Sequence, residues 1–402
     1  MSDHSRSIGT DQLYLPATGG WANLRWFGLV VGLAGAGASA LLAARQPAQF
    51  YHSWLVAFLF FLSISLGALF FVLVHHAAKA GWGVVVRRLA ENIAACLPVL
   101  LVLFVPIYLG RHELYHWTDA AAVAHDPLLQ AKSAYLSTAG FLLRAAIYCV
   151  AWSFLSLLFL RLSRRQDRTA EEGLSRQMIR WSGPALLVFA LTLTFAAFDW
   201  IMALDAHWYS TMFGVYFFSG SVVSCFAFLC VLTVLLRGSG CLRDVVTLEH
   251  FHDLGKLLFA FTVFWAYIAF SQFFLIWYAN LPEETTFFLR RLEGSWKLAT
   301  LLLAMGHFVV PFFFLMPRGI KRRPPLLLAG AVWMLLMHLL DLYWLVMPNL
   351  HAEGVRLSLL DLTCLVAVGG LFLAVLGALL RSAALVPIRD PRLVESLSFE
   401  NL

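Results

Sequence analysis

The chain has 402 residues, of which 61% are hydrophobic and 13% charged, with a mean hydropathy of +0.78. Soluble domains carry about 25% charged residues, so this composition excludes a soluble enzyme and places the chain in a membrane. The net charge of +6 is divided among short loops, which gives no continuous basic surface for nucleic acid.

A membrane-spanning helix needs about 20 apolar residues. Ten such runs are expected, near residues 23–44, 52–75, 94–110, 138–160, 181–203, 212–236, 255–279, 297–316, 325–346 and 360–380. The third is the shortest, because Pro98 and Pro106 interrupt it. Residues 1–402 thus read as a single polytopic membrane domain. Most Lys and Arg residues fall in the first tail, in the connections after even-numbered runs and in the last tail. By the positive-inside rule both termini are expected in the cytoplasm, and the bias suits a bacterial inner membrane. The polar first twenty residues lack a basic segment leading into a short apolar core, so the first run is expected to be retained rather than cleaved.

The six cysteines, Cys96, Cys149, Cys225, Cys230, Cys241 and Cys364, are scattered and mostly lie within the runs. There, Cys acts as a small hydrophobe. No C-x-x-C or C-x-x-C-H is present, which argues against an iron–sulfur cluster, a thiolate zinc site or a covalently attached haem. The outer connection from Arg111 to Ser137 holds His112, Glu113, His116, Asp119, His125 and Asp126, but their irregular spacing reads as a surface loop rather than a metal site. Residues 161–180 contain no apolar run and read as a solvated, partly helical cytoplasmic linker.

Ionisable groups inside or beside the runs carry the functional signal, because a charge in a bilayer is costly. Arg144 lies about two turns inside the fourth run and needs a counter-charge. Asp199, near the end of the fifth, is the nearest carboxylate in the chain. Asp205 and His207 follow in the connection Asp199-Trp-Ile-Met-Ala-Leu-Asp-Ala-His207, which contains no Lys or Arg. Asp205 reads equally well as part of a loop that caps the next helix.

The seventh run opens with Glu249-His-Phe-His-Asp-Leu-Gly-Lys256. Glu249, His252, Asp253 and Lys256 then form one polar stripe, with Tyr267 and Ser271 near the same line deeper in. The stripe suits a proton inlet from the cytoplasm, and it also suits a simple surface cap, with Lys256 snorkelling. His307 in the eighth run and His338 in the ninth both lie roughly 16–20 Å deep, on consecutive antiparallel helices that can face each other. Asp341 shares a face with His338, and Tyr343 follows. Together these groups read as a proton path: in at the seventh run, through His307 and His338, out by Asp341, Asp199, Asp205 and His207. Hydrogen bonding between helices and a single haem held between His307 and His338 are alternative readings of the same residues. No covalently bound cofactor is expected.

Several segments together resemble the NrfD/polysulfide-reductase superfamily, and within it the F-type membrane subunits of bacterial alternative complex III, a quinol:cytochrome c oxidoreductase. The resemblance is carried by Asp199-Trp-Ile-Met-Ala-Leu-Asp-Ala-His-Trp-Tyr-Ser210, Phe213-Gly-Val-Tyr-Phe-Phe-Ser-Gly220, Phe251-His-Asp-Leu-Gly-Lys-Leu-Leu-Phe-Ala-Phe261, Ala266-Tyr-Ile-Ala-Phe-Ser-Gln-Phe-Phe-Leu-Ile-Trp-Tyr-Ala-Asn280, His307-Phe-Val-Val-Pro-Phe312 and Asp341-Leu-Tyr-Trp-Leu-Val-Met-Pro348. These cover roughly residues 195–350. The first half of the chain agrees mainly in span count.

The resemblance implies an all-α membrane fold with two four-helix bundles, spans 2–5 (52–160 for the first bundle) and 6–9 (181–346 for the second, which includes the fifth run), plus flanking helices. It implies a sister ten-helix subunit, an iron–sulfur protein, a multihaem cytochrome c, small membrane anchors and surrounding lipid as partners. It also implies a quinone or quinol ligand, with this subunit contributing a proton path, a quinone site or both. Two other readings stay open: a stand-alone proton-coupled transporter, and a scaffold subunit of the same complex.

Overall fold

The computed structural model describes residues 10–401 and is an all-α integral membrane protein. Ten helices are long and apolar enough to cross a membrane: Gly20–Ala43, Pro47–Ala77, Val84–Leu109, Thr138–Thr169, Glu172–Leu204, Phe213–Gly238, Leu248–Ala279, Trp296–Leu315, Pro324–Asn349 and Leu359–Arg381. They are numbered spans 1–10. Both described ends of the chain meet the connection between spans 6 and 7 or its neighbourhood, as Gln12 bonds Asp244 (2.8 Å) and Asn401 bonds Glu249 (3.2 Å). That side is the terminal face; the other is the distal face.

Two groups of four form. Span 2 packs on spans 3 and 5, and span 4 on spans 3 and 5. Span 6 packs on spans 7 and 9, with span 8 against spans 7 and 9. Spans 2 and 6 meet along their length and join the groups, while span 10 lies on span 2 and pairs with span 1. This explains why span 2 is buried almost throughout, whereas span 1 turns an apolar face outward and exposes Trp26, Phe27, Val30 and Leu33. Without a hydrophobic driving force between helices in lipid, close backbone approach drives such pairing. A Cβ added to Gly370 would lie 2.3 Å from the Gly32 nitrogen, so glycine is required at this crossing.

Span 3 departs from the sequence reading. It starts at Val84, ten residues before the expected 94, and runs as three helical pieces, Val84–Ala94, Leu97–Val102 and Val105–Leu109. Pro98 and Pro106 each lack the N–H that would continue the helical ladder. Arg87, Arg88 and Glu91, expected in a cytoplasmic loop, are fully buried. Arg87 and Arg88 share Glu91 (3.0 and 2.9 Å), and Asp390 and Asp167 complete the set (2.6 and 2.7 Å). A charge is buried when it is paired, and single-residue hydropathy does not register that pairing.

The expected linker at 161–180 is almost wholly helical. Spans 4 and 5 run through it and turn only at Ala170, which ends span 4 in the left-handed conformation (φ 57°), and Glu171. A short helix, Pro282–Leu292, follows span 7 on the distal face, begun by Pro282 after Asn280 ends span 7 at φ 50°. Pro at the first helical turn costs no hydrogen bond.

Candidate functional site

His307, His338 and Asp341 come together in the second bundle, all buried, with one ligand-type atom of each within 4.8 Å of the others. The helix period places His338 and Asp341 on one face of span 9. His307 sits in a π-helical turn, Ala304–Val309, which interrupts span 8 just before Pro311. Such turns widen the helix by one residue, rotate the following side chains and often mark functional sites.

The cluster also contains groups that the sequence reading missed. Tyr216 of span 6 donates its hydroxyl to Asp341 Oδ1, and Trp265 of span 7 donates its indole N–H to Oδ2 (3.1 Å). Trp265 stacks on His307 with ring centroids 3.7 Å apart. Ser63 of span 2 meets His338 Nε2 (2.8 Å) and donates to the Phe60 carbonyl (2.8 Å). The contact occupies Nε2 and leaves Nδ1 as the other ring nitrogen of His338. That nitrogen and both ring nitrogens of His307 have no hydrogen-bond partner among the described residues. A Cβ at Gly220 would lie 2.9 Å from His338 Cε1 and 3.9 Å from Asp341 Oδ2, so this glycine makes room for the pair.

Two imidazoles and a carboxylate can exchange a proton, and they are also ligand types for a divalent metal. Each Asp341 oxygen accepts one hydrogen bond, which leaves a lone pair on each for a proton or a metal.

Beside the cluster lies an apolar cavity of about 580 Å³. Tyr216 and Trp265 line it on the cluster side, Arg291, Thr300 and Trp344 elsewhere. Tyr267 and Phe270, 64% and 63% exposed, line it on the lipid-facing surface of span 7. The cavity therefore opens sideways toward lipid and ends within one side chain of Asp341 and His307.

The expected single chain of polar groups is not formed. Tyr267 faces outward and so leaves the polar stripe; the buried line of span 7 runs instead through Leu258, Thr262, Trp265 and Gln272. The stripe itself ends near the terminal face: Asp253 pairs with Lys256, and Glu249 with Arg322 (2.6 Å). His252 is buried, with Nδ1 unpartnered among the described residues. From His252 to Trp265 is roughly 20 Å of helix, filled on the inner face by Gly255, Leu258 and Thr262.

The distal carboxylates are also separate. Asp199 belongs to the first bundle and is held at both oxygens by Arg144 (2.9 Å each) and by the Tyr148 hydroxyl (2.7 Å). Asp205 lies 3.4 Å from Arg290. His207 turns away to Asp126 (2.6 Å), whose carboxyl this hydrogen bond holds below its usual range. The basic partners absent from the local sequence are thus supplied from span 4 and the short distal helix. Tyr343 donates to the Arg356 carbonyl (2.7 Å) and ties down the following loop.

No protein-family model matches this chain, and no curated protein matches its sequence.

Proposed function

We propose that this chain is a membrane subunit of a quinol-oxidising respiratory complex of the alternative complex III type, and that it provides a quinone site coupled to proton handling. The observation that carries this reading is the lateral cavity ending at Tyr216 and Trp265, which both donate to Asp341 while Trp265 stacks on His307. A ring-bearing lipid needs an apolar site reached from the bilayer, with a few polar groups that fix its head. Quinol oxidation also releases protons, and a buried carboxylate with two imidazoles beside the head can take them.

The electrons pass to partners: a sister ten-helix subunit, an iron–sulfur protein and a multihaem cytochrome c, held with small membrane anchors in a bacterial inner membrane. The basic loops of the terminal face support a cytoplasmic side for both ends of the chain. The interrupted spans 3 and 8 favour a transporter as the second reading, since broken helices often form transport sites. They occupy different places in the two bundles, however, second in one and third in the other, so they do not form a repeat-related pair.

The test is quinol:cytochrome c turnover and proton release by the complex carrying Asp341→Asn with His338→Leu. A fall of about a hundredfold in a fully assembled complex is expected, the scale of lost acid–base catalysis. Unchanged turnover and stoichiometry would reduce the cluster to helix packing and the chain to a scaffold. Purification without a multihaem cytochrome would favour the transporter.

A further inference from the structure

Arg291 stands out among the cavity-lining residues. It is 1% exposed, yet no carboxylate pairs with it among the described residues, because Asp205 pairs with its neighbour Arg290 (3.4 Å). Its guanidinium lies 3.5 Å from the Phe287 ring centroid and 4.9 Å from that of Trp344, so aromatic faces stand where an anion would. Nε donates to the Trp344 carbonyl (3.1 Å), Nη1 to Phe287 (2.9 Å) and Nη2 to Leu345 (2.9 Å). A guanidinium has five N–H donors, so one N–H on each terminal nitrogen is left over. Burial pulls its pKa down to about 9, which leaves it a cation near neutrality.

We infer that Arg291 anchors the head of a neutral ring-and-tail ligand in this cavity by donating to a ring oxygen, with Tyr216 and Trp265 at the other polar side. This rests on reading the cavity as a quinone site. Three features favour a quinone over an anionic amphiphile. The walls are aromatic, with Trp265, Phe273, Phe288, Phe308 and Trp344 suited to a flat ring. Among the described residues only one cation lines the cavity, and three of its donors are already used. The other polar lining groups, Gln272, Thr300 and Tyr267, are neutral, and Tyr216 and Trp265 are directed at a carboxylate, which would repel a second negative charge. Leaving the two free donors of Arg291 without an acceptor in an apolar wall is costly, and a ring carbonyl satisfies them without adding charge.

The experiment uses the full chain in lipid nanodiscs and a photoreactive azidobenzoquinone with a decyl tail. Labelling is mapped by mass spectrometry, and competition is measured against the unlabelled quinone, the same decyl ring without oxygens, and oleate. The wild type should prefer the quinone over the oxygen-free ring by about tenfold or more, as for a hydrogen bond to a charged group. Arg291→Gln should lose most of that preference, and Arg291→Lys should keep part of it. Ala269→Trp, which fills the cavity from span 7, should abolish labelling. The ratio between two competitors does not change when some of the protein is misfolded, so a folding defect in Arg291→Gln cannot imitate the effect. Equal preference in the wild type and Arg291→Gln would overturn the role of Arg291 and leave the quinone site standing. No labelling of the cavity in the wild type would overturn both. Arg291-dependent displacement by oleate more effective than by the quinone would show that the anchor takes an anionic head, and would overturn the assignment to a neutral ring.

Discussion

Each buried charge in this protein is stable only through named partners, so single substitutions should separate structural from functional groups. Asp199 is fully buried and its oxygens are occupied by Arg144 and Tyr148. Arg144→Met would leave an uncompensated carboxylate, at a cost of about 3–5 kcal/mol. Adding Asp199→Leu should restore much of that, because apolar replacement of both partners removes the desolvation penalty. Thermal unfolding of the three proteins in detergent checks this; equal stability of the single and double variants would show that the ion pair carries no such penalty. The His338 site is set by space as well as charge. Gly220→Ala should push the imidazole off Ser63, lower stability by about 1–3 kcal/mol as overpacking does, and reduce turnover as His338→Leu does. Gly238→Ala, on the same helix with nothing within 4 Å of the added Cβ, should leave both unchanged. A Gly220→Ala variant with full turnover would mean that the His338 position is not critical.

At the scale of helices, the connection from span 8 to span 9 shows how an end is closed inside a membrane. Lys321 is buried and donates to the carbonyls of Leu315 (2.6 Å) and Met316 (2.7 Å) at the end of span 8, where backbone acceptors lack helical partners. Burial lowers its pKa, yet the two carbonyls favour the cation. Lys321→Met should therefore cost about 1–3 kcal/mol through unsatisfied acceptors, with faster hydrogen exchange confined to the last turn of span 8. Exchange unchanged in that turn would show that water replaces the ammonium. The sequence reading reached the ten spans and the pairing of Arg144 with Asp199, because both follow from length, hydropathy and connectivity. It also brought His307 and His338 to one depth, since helical rise alone sets depth. It missed the start of span 3, where Glu91, Asp390 and Asp167 pair with Arg87 and Arg88, and the turning of Tyr267 toward lipid. At the end of a span, chain segments from elsewhere cover a polar stripe; deeper in, the covered face is set by neighbouring helices. Tyr216 and Trp265 reach Asp341, and Ser63 reaches His338, from three other spans, and one helix pattern carries no record of such contacts.

Across the whole molecule, the last segment of the chain links the two bundles on the terminal face. Asp390 pairs with Arg87 of span 3, and Arg389 donates to the Arg168 carbonyl at the end of span 4 (3.1 Å). Ser396 donates to the Trp82 carbonyl (2.5 Å), and its own carbonyl meets His250 Nε2 at the start of span 7 (3.1 Å). Asn401 accepts from Lys256 (2.7 Å). Two substitutions divide these roles. Asp390→Ala leaves Arg87 with Glu91, which Arg88 already shares, and should cost about 3–5 kcal/mol, the scale of breaking a buried pair. Faster amide exchange should then appear at Val84–Ala94 and not at the start of span 7. A chain ending at Pro387 loses the contacts to both bundles, so exchange should rise at Val84–Ala94 and at Leu248–Gly255 together. Regions that open as one unit share their stabilising contacts, so a truncated protein in which only the first region loosens would show that the second bundle holds its terminal end without the tail.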